Sequence, residues 1–193
     1  MSTKSLTGII LAGGKSSRLG YPKYKAELNS KTLLDIAISK LEFICQEIIV
    51  VSKEPLKTSK KNVVEKDSRF HPLVGITEGL RASQNNANII LACDMPFVSS
   101  KLIGQLINTQ ADICLYRFKG RLEPLFGFYR KTCLEKINTQ FDINSRLLDM
   151  LSKSNLEYID IGDDCPDFFN INTKKDLIEA QKRARSNPEL LSN

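Results

Sequence analysis

Apolar residues come in short runs along this chain, separated by stretches with a longer rhythm. Leu6 to Ala12, Glu47 to Ser52, Asn62 to Glu65, Asn88 to Ala92, Asp112 to Arg117, Pro124 to Arg130 and Glu157 to Ile161 are β-branched or apolar segments that read as strands. Between most of them the apolar positions take helical spacing, as in Thr32 to Ile44, where Leu33, Leu34, Ala37, Ile38 and Leu41 share one face. Strand and helix in alternation predict an α/β domain: three layers, with a mostly parallel sheet covered on both faces. One step breaks the alternation. Only Phe118 to Glu123 separates two of the runs, too few residues for a crossover helix, so that pair is expected to be antiparallel. A last helix is predicted from Thr173, where Thr173-x-x-Asp176 resembles a capping box, through Leu177, Ile178 and Ala180 to a basic end at Lys182, Arg183 and Arg185.

The chain has no internal repeat or low-complexity segment, and its 193 residues suit a single domain spanning 1–193, with loose tails at 1–5 and 186–193. The net charge of +6 favours phosphate-rich partners without singling one out. Lys53, Lys57, Lys60, Lys61 and Lys66 crowd one stretch, but no aromatic side chain lies among them for a base to stack on, so no nucleic-acid partner is expected. Five scattered cysteines, Cys45, Cys93, Cys114, Cys133 and Cys165, form no C-x-x-C pair and have one histidine, His71, beside them, which speaks against a disulfide scaffold or a zinc site. The apolar run near the start is too short for a secretory signal, and no later run reaches a membrane span. A reduced, cytoplasmic setting without membrane contact is expected.

Chemistry concentrates after the first strand, in Leu11-Ala12-Gly13-Gly14-Lys15-Ser16-Ser17-Arg18-Leu19-Gly20-Tyr21-Pro22-Lys23. Gly13 and Gly14 can take up positive φ and let the backbone approach a ligand, while Lys15, Arg18 and Lys23 add cations for a polyphosphate. The Walker A spacing fails because its first glycine falls on Ile9. G-x-G-x-x-G fails too, which argues against nicotinamide and flavin chemistry. Asn88 to Ala92 leads into Cys93-Asp94-Met95-Pro96, which puts a carboxylate at a strand end, where ligands of open α/β sheets gather. A magnesium ion uses one or two such carboxylates together with phosphate oxygens.

These segments resemble the MobA-like nucleotidyltransferases, whose molybdenum cofactor guanylyltransferases carry L-A-G-G-x-S-x-R-M-G-x-D-K. Leu11, Ala12, Gly13, Gly14, Ser16, Arg18, Gly20 and Lys23 match; Leu19 replaces Met, and Pro22 stands where Asp is usual, as in related cytidylyltransferases. Asp94 falls on the family's D-x-P element. Val63 to Asp67 followed by His71-Pro72-Leu73-Val74-Gly75-Ile76 is similar to the segment in which an Asp contacts the nucleotide and G-P-L-x-G opens a helix, with His71 in the glycine position. Phe168 to Leu177 resembles F-x-N-[IV]-N-T-x-x-[DE]-L, and Arg121 to Tyr129 resembles E-P-L-F-A-x-Y on the acceptor side.

The resemblance implies a three-layer Rossmann-like nucleotidyltransferase fold and Mg²⁺-dependent transfer of GMP from GTP to the phosphate of molybdenum-bearing molybdopterin, releasing pyrophosphate. Leu11, Ala12, Gly13, Gly14, Lys23, Asp67 and Asp94 would then bind the nucleotide. Lys15, Arg18, Lys23 and Asp94 would be catalytic, with Asp94 on the metal, and Asn170, Asn172 and Arg121 would meet the acceptor. Molybdoenzymes or other cofactor-assembly proteins would be transient partners. His71 receives no catalytic role, since an anionic phosphate nucleophile needs no strong base. Three alternatives stay open: CTP as donor, another phosphorylated acceptor for GTP, and a non-catalytic GTP-binding assembly factor.

Overall fold

The computed structural model describes residues 5–14, 18–67, 70–138 and 154–191. Strands β1 (Leu6–Leu11), β4 (Glu47–Ser52), β5 (Lys61–Val64), β6 (Ala87–Ala92), β7 (Ile113–Phe118), β8 (Arg121–Arg130) and β9 (Leu156–Ile161) make a seven-stranded sheet in the order β5-β4-β1-β6-β8-β7-β9. All its neighbours are parallel except those of β8, which runs antiparallel to both β6 and β7. The expected mostly parallel sheet with one reversed strand is therefore what forms.

Period-two alternation sends successive side chains of the central strands to opposite faces. Ile10, Val50, Ile89 and Leu91 join one core cluster. Ile9, Ile49, Val51 and Ile90 join the other. Helices α1 (Leu33–Glu42) and α3 (Ser100–Leu106) cover the first face with Leu34, Ala37, Leu41, Leu102, Ile103 and Leu106. On the second face α2 (Pro72–Ala82) packs Leu73, Ile76 and Leu80, and α4 (Cys133–Asn138) packs Cys133 and Leu134. Each fully buried Leu or Ile contributes roughly 1.5–3 kcal/mol of transfer free energy, so the two faces supply the driving force that fixes strand register.

A third cluster lies beside the sheet. It joins Leu19, Ala26, Leu28, Leu33 and Ile36 to Phe97, Ile171 and the α5 (Lys174–Ser186) residues Ala180 and Ala184. This cluster links the segment after the glycine-rich stretch with the segment before α5. Across it Lys40 of α1, almost fully buried, donates to the Leu190 carbonyl at 3.1 Å, and burial pushes its ammonium down to about 8.

Two features differ from the sequence reading. A small antiparallel pair, β2 (Glu27–Leu28) and β3 (Lys31–Thr32), precedes α1 and is too short to leave a periodic signal. The β7–β8 connection is also tighter than the six residues expected, because β8 begins at Arg121 and Lys119 and Gly120 alone make the turn, both with positive φ (50° and 72°). That is the conformation whose twist suits a two-residue hairpin. Among the described residues the cysteines are all free thiols, and no helix is long and apolar enough to cross a membrane.

Candidate active site

A cavity of about 370 Å³ opens at the sheet edge where β5, β4, β1 and β6 end and β8 begins. Glu65 lines it just past β5, Lys53 past β4, Gly13 and Gly14 past β1, Asp94 past β6 and Glu123 within β8. Strand order thus arranges residues far apart in sequence along one line of about 19 Å, four strand spacings of about 4.8 Å each. His71, Pro72 and Gly75 close one side, and Lys23, Asn170 and Asn172 close the other.

On that second side Lys23 Nζ donates to Asp94 Oδ2 at 2.5 Å and to Asn172 Oδ1 at 2.6 Å. The Lys23 and Asp94 side chains are each only 16% exposed, so screening by water is weaker than for a surface pair. The backbone holds the partners in place. Ile171 N–H donates to the Asp94 carbonyl at 2.9 Å, which ties the segment before α5 to the end of β6. One step on, the N–H groups of Asn172 and Thr173 donate to Asp176 Oδ2 at 2.9 and 2.8 Å, and Asp176 N–H donates to Thr173 Oγ1, completing the predicted capping box. Burial works to raise the Asp176 carboxyl, but these donors and the charge of Arg18 hold it below the usual range.

The glycine-rich stretch departs from the expectation in its backbone conformation. Neither Gly13 nor Gly14 has positive φ; in this region Gly20 does, at 91°. At position 13 what matters is space, because a Cβ there would sit 2.5 Å from Glu65 Oε1. Gly75 faces the same oxygen, with its would-be Cβ 3.4 Å away. The Glu65 carboxylate therefore lies between two glycines, paired with Lys53 Nζ at 2.6 Å and only 7% exposed. Burial pushes its carboxyl up, and Lys53 opposes the shift. Lys53 also donates to the Asp67 carbonyl at 2.9 Å and stands 5.0 Å from the Phe70 ring centroid.

Of the expected site residues, Leu11, Ala12, Gly13, Gly14, Lys23, Asp94, Asn170 and Asn172 line the cavity together. Lys15 lies outside the described residues, and Arg18 is exposed and not among the lining residues, though near enough to Asp176 to act on it by charge. Asp67 and Arg121 are not among the lining residues. The chain turns after β5 so that Glu65, two residues earlier, points inward while Asp67 offers its carbonyl to Lys53. On β8, Arg121 is exposed and Glu123, on the same strand face, lines the cavity instead. His71 is the N-cap of α2, its Nδ1 accepting the Leu73 N–H at 3.3 Å. Lys53, Glu65 and Glu123 were missed as site residues, and strand-end position is the one signal that marked them. Among the described residues no group of three or more His, Cys, Asp or Glu side chains could hold a metal, so a cation at Asp94 would need oxygen ligands from its substrate.

Residues 8–157 match the family model of the MobA-like NTP transferase domain. The chain belongs to that family. A relative from Natranaerobius thermophilus, named "Probable molybdenum cofactor guanylyltransferase", is 33% identical over 93% of this chain and 97% of its own length. Another of the same name, from Bacillus cytotoxicus, is 32% identical over 91% of this chain and 96% of its own. Among solved structures, the molybdopterin-guanine dinucleotide biosynthesis protein A of Archaeoglobus fulgidus superposes with a TM-score of 0.80 at 20% identity, covering 93% of this chain and 99% of that one. A 4-diphosphocytidyl-2C-methyl-D-erythritol synthase from Anaerococcus prevotii superposes at 0.68 with 16% identity, over 95% of this chain and 100% of the other. These two likenesses show the fold, which serves more than one nucleotidyl transfer. This MobA-like chain is a nucleotidyltransferase.

Proposed function

We propose that this protein transfers GMP from GTP to the terminal phosphate of molybdenum-bearing molybdopterin, forming the guanine dinucleotide cofactor and releasing pyrophosphate. The observation that carries the reading is the contact of Lys23 with both Asp94 and Asn172 in the wall of the strand-end cavity. That contact joins the strand-end carboxylate to the segment expected on the acceptor side. The names of the relatives, which join a guanylyl group to the molybdenum cofactor, support this choice of substrates.

In this scheme an acceptor phosphate oxygen attacks the α-phosphorus in line while the bond from the α-phosphorus to its bridging oxygen breaks and pyrophosphate departs. The nucleophile is already anionic, so the protein's work is alignment and charge neutralisation. Lys23 exchanges Asp94 for an α-phosphate oxygen. Lys15 and Arg18 hold the leaving pyrophosphate, and the Leu11 to Gly14 backbone supports the nucleotide. The Lys53–Glu65 pair faces the nucleoside, a task first expected of Asp67. Asn170 and Asn172 bound the acceptor side.

Asp94 is the residue that would hold Mg²⁺. Its Oδ2 is taken by Lys23, whereas its Oδ1 meets no hydrogen-bond donor among the described residues, and a hard carboxylate oxygen at a phosphate site suits this ion. When bound, Mg²⁺ would neutralise phosphate charge. Incubation of the purified protein with GTP, Mg²⁺ and loaded molybdopterin is expected to yield the dinucleotide, identified by mass. Lys23→Ala and Asn172→Ala should each lower the yield severely, and full yield from Lys23→Ala would remove the central role given to that contact.

A further inference from the structure

Glu123 is the one carboxylate of the cavity to which neither the sequence nor the proposed reaction gives a task. It is half-buried, and its carboxylate makes no hydrogen bond or ion pair among the described residues. A carboxylate so placed is costly to bury unless something binds it. Two charges act on it, Arg121 from its own strand and Asp94 from across the sheet. Both side chains line the same cavity, Asp94 from the turn that follows β6 and Glu123 from the part of β8 where its pairing with β7 shifts register.

We infer that Glu123 is a second oxygen ligand for the divalent cation at Asp94, an inference that rests on the metal reading proposed above. Charge balance supports it. Asp94 is neutralised by Lys23 in the structure. Once Lys23 turns to the phosphate, one carboxylate would face a dication, and Glu123 supplies a second negative charge from the same cavity wall, near enough for the two carboxylates to feel each other. Among the described residues no hydrogen-bond donor meets Asp94 Oδ1 or the Glu123 oxygens, and Mg²⁺ takes one or two carboxylates with phosphate oxygens completing its shell. Glu123 is carried by β8, at the point where the strand's pairing with β7 shifts register.

The test is Mn²⁺ affinity in the presence of a non-hydrolysable GTP analogue, read by the electron spin resonance of free Mn²⁺, for wild type, Glu123→Gln, Glu123→Asp and Asp94→Asn. Glu123→Gln should weaken Mn²⁺ binding about tenfold or more, in keeping with the dependence of affinity on ligand charge. Its affinity for the analogue without metal should not change. Glu123→Asp should recover part of the loss, and the turnover of Glu123→Gln should return towards wild type as Mg²⁺ is raised, which a misfolded site would not do. Unchanged Mn²⁺ affinity in Glu123→Gln, with loss in Asp94→Asn, overturns the role of Glu123 alone. Unchanged affinity in Asp94→Asn, or no Mn²⁺ binding by wild type, overturns the metal reading together with it. A turnover defect in Glu123→Gln that no Mg²⁺ concentration relieves also counts against the inference.

Discussion

Gly13→Ala puts the nucleoside end of the cavity under a defined stress. The new Cβ would lie 2.5 Å from Glu65 Oε1, so the carboxylate must retreat by about 1 Å to reach an ordinary contact of about 3.5 Å. The other oxygen, Oε2, is ion-paired with Lys53 Nζ at 2.6 Å, and a retreat of that size strains the pair. Neither side chain is well solvated, at 19% and 7% exposed, so the cost is bounded by that of a charge-assisted contact, about 1.5–3 kcal/mol. For a chain of this size that is a fall in Tm of about 3–12 °C. Gly14→Ala is the internal control, because a Cβ there meets nothing within 4 Å. Thermal melts of both variants, followed by GTP titration, test the argument. Gly13→Ala should melt lower and bind GTP more weakly than wild type, and in a Glu65→Ala background it should cost almost nothing, since the opposing oxygen is gone. A Gly13→Ala protein that melts with Gly14→Ala and binds GTP as well would refute the reasoning.

Thr173→Ala removes one half of the α5 capping box and should lower stability by about 1 kcal/mol. By loosening Asn172 it should also raise the KM for the acceptor more than that for GTP, which steady-state kinetics would read. Lys40 has its charged form disfavoured in the folded state, with its ammonium near 8 against 10.5 in the unfolded chain. The unfolded state then binds more protons between those values, so the Lys40 contribution makes stability rise with pH from about 8 to 10.5. Over that range the buried Cys45, Cys93 and Cys133 thiols, pushed up by burial, pull stability down, so in melts wild type should lose less stability than Lys40→Met, and equal slopes would discard the burial argument. Asp176 carries the opposite sign: its carboxyl is depressed on folding, so its contribution is present at neutral pH and lost as pH falls through the acid range, and Asp176→Asn should make the acid limb of the stability profile shallower.

Much of the fold was legible because the alternation of apolar runs is itself the packing pattern. Ile9 and Ile10 point to opposite clusters, and the strand reading of Leu6 to Ala12 required that. The capping box at Thr173 was equally local, a hydroxyl and a carboxylate three residues apart. The β7–β8 turn was read too long because Arg121 and Glu123 are polar and looked like loop, whereas they are strand residues of a ladder whose end meets the cavity. Asp94 and Lys23 were found because glycine spacing and a strand-end carboxylate mark them in sequence. Glu65 could not be separated from Asp67 in the same way: both follow β5, and the turn, together with the space that Gly13 and Gly75 leave, decides which of them faces inward. Glycine marked that place, but for closeness rather than for backbone conformation.

Pyrophosphate release by the purified protein, with Mg²⁺, molybdenum-bearing molybdopterin and GTP, CTP or ATP in parallel reactions, tests the central claim most directly. The account predicts release with GTP, little with CTP or ATP, and a fall by orders of magnitude in Asp94→Ala that retains its fold by circular dichroism. Release with CTP in place of GTP, or with GTP undiminished in Asp94→Ala, would contradict it.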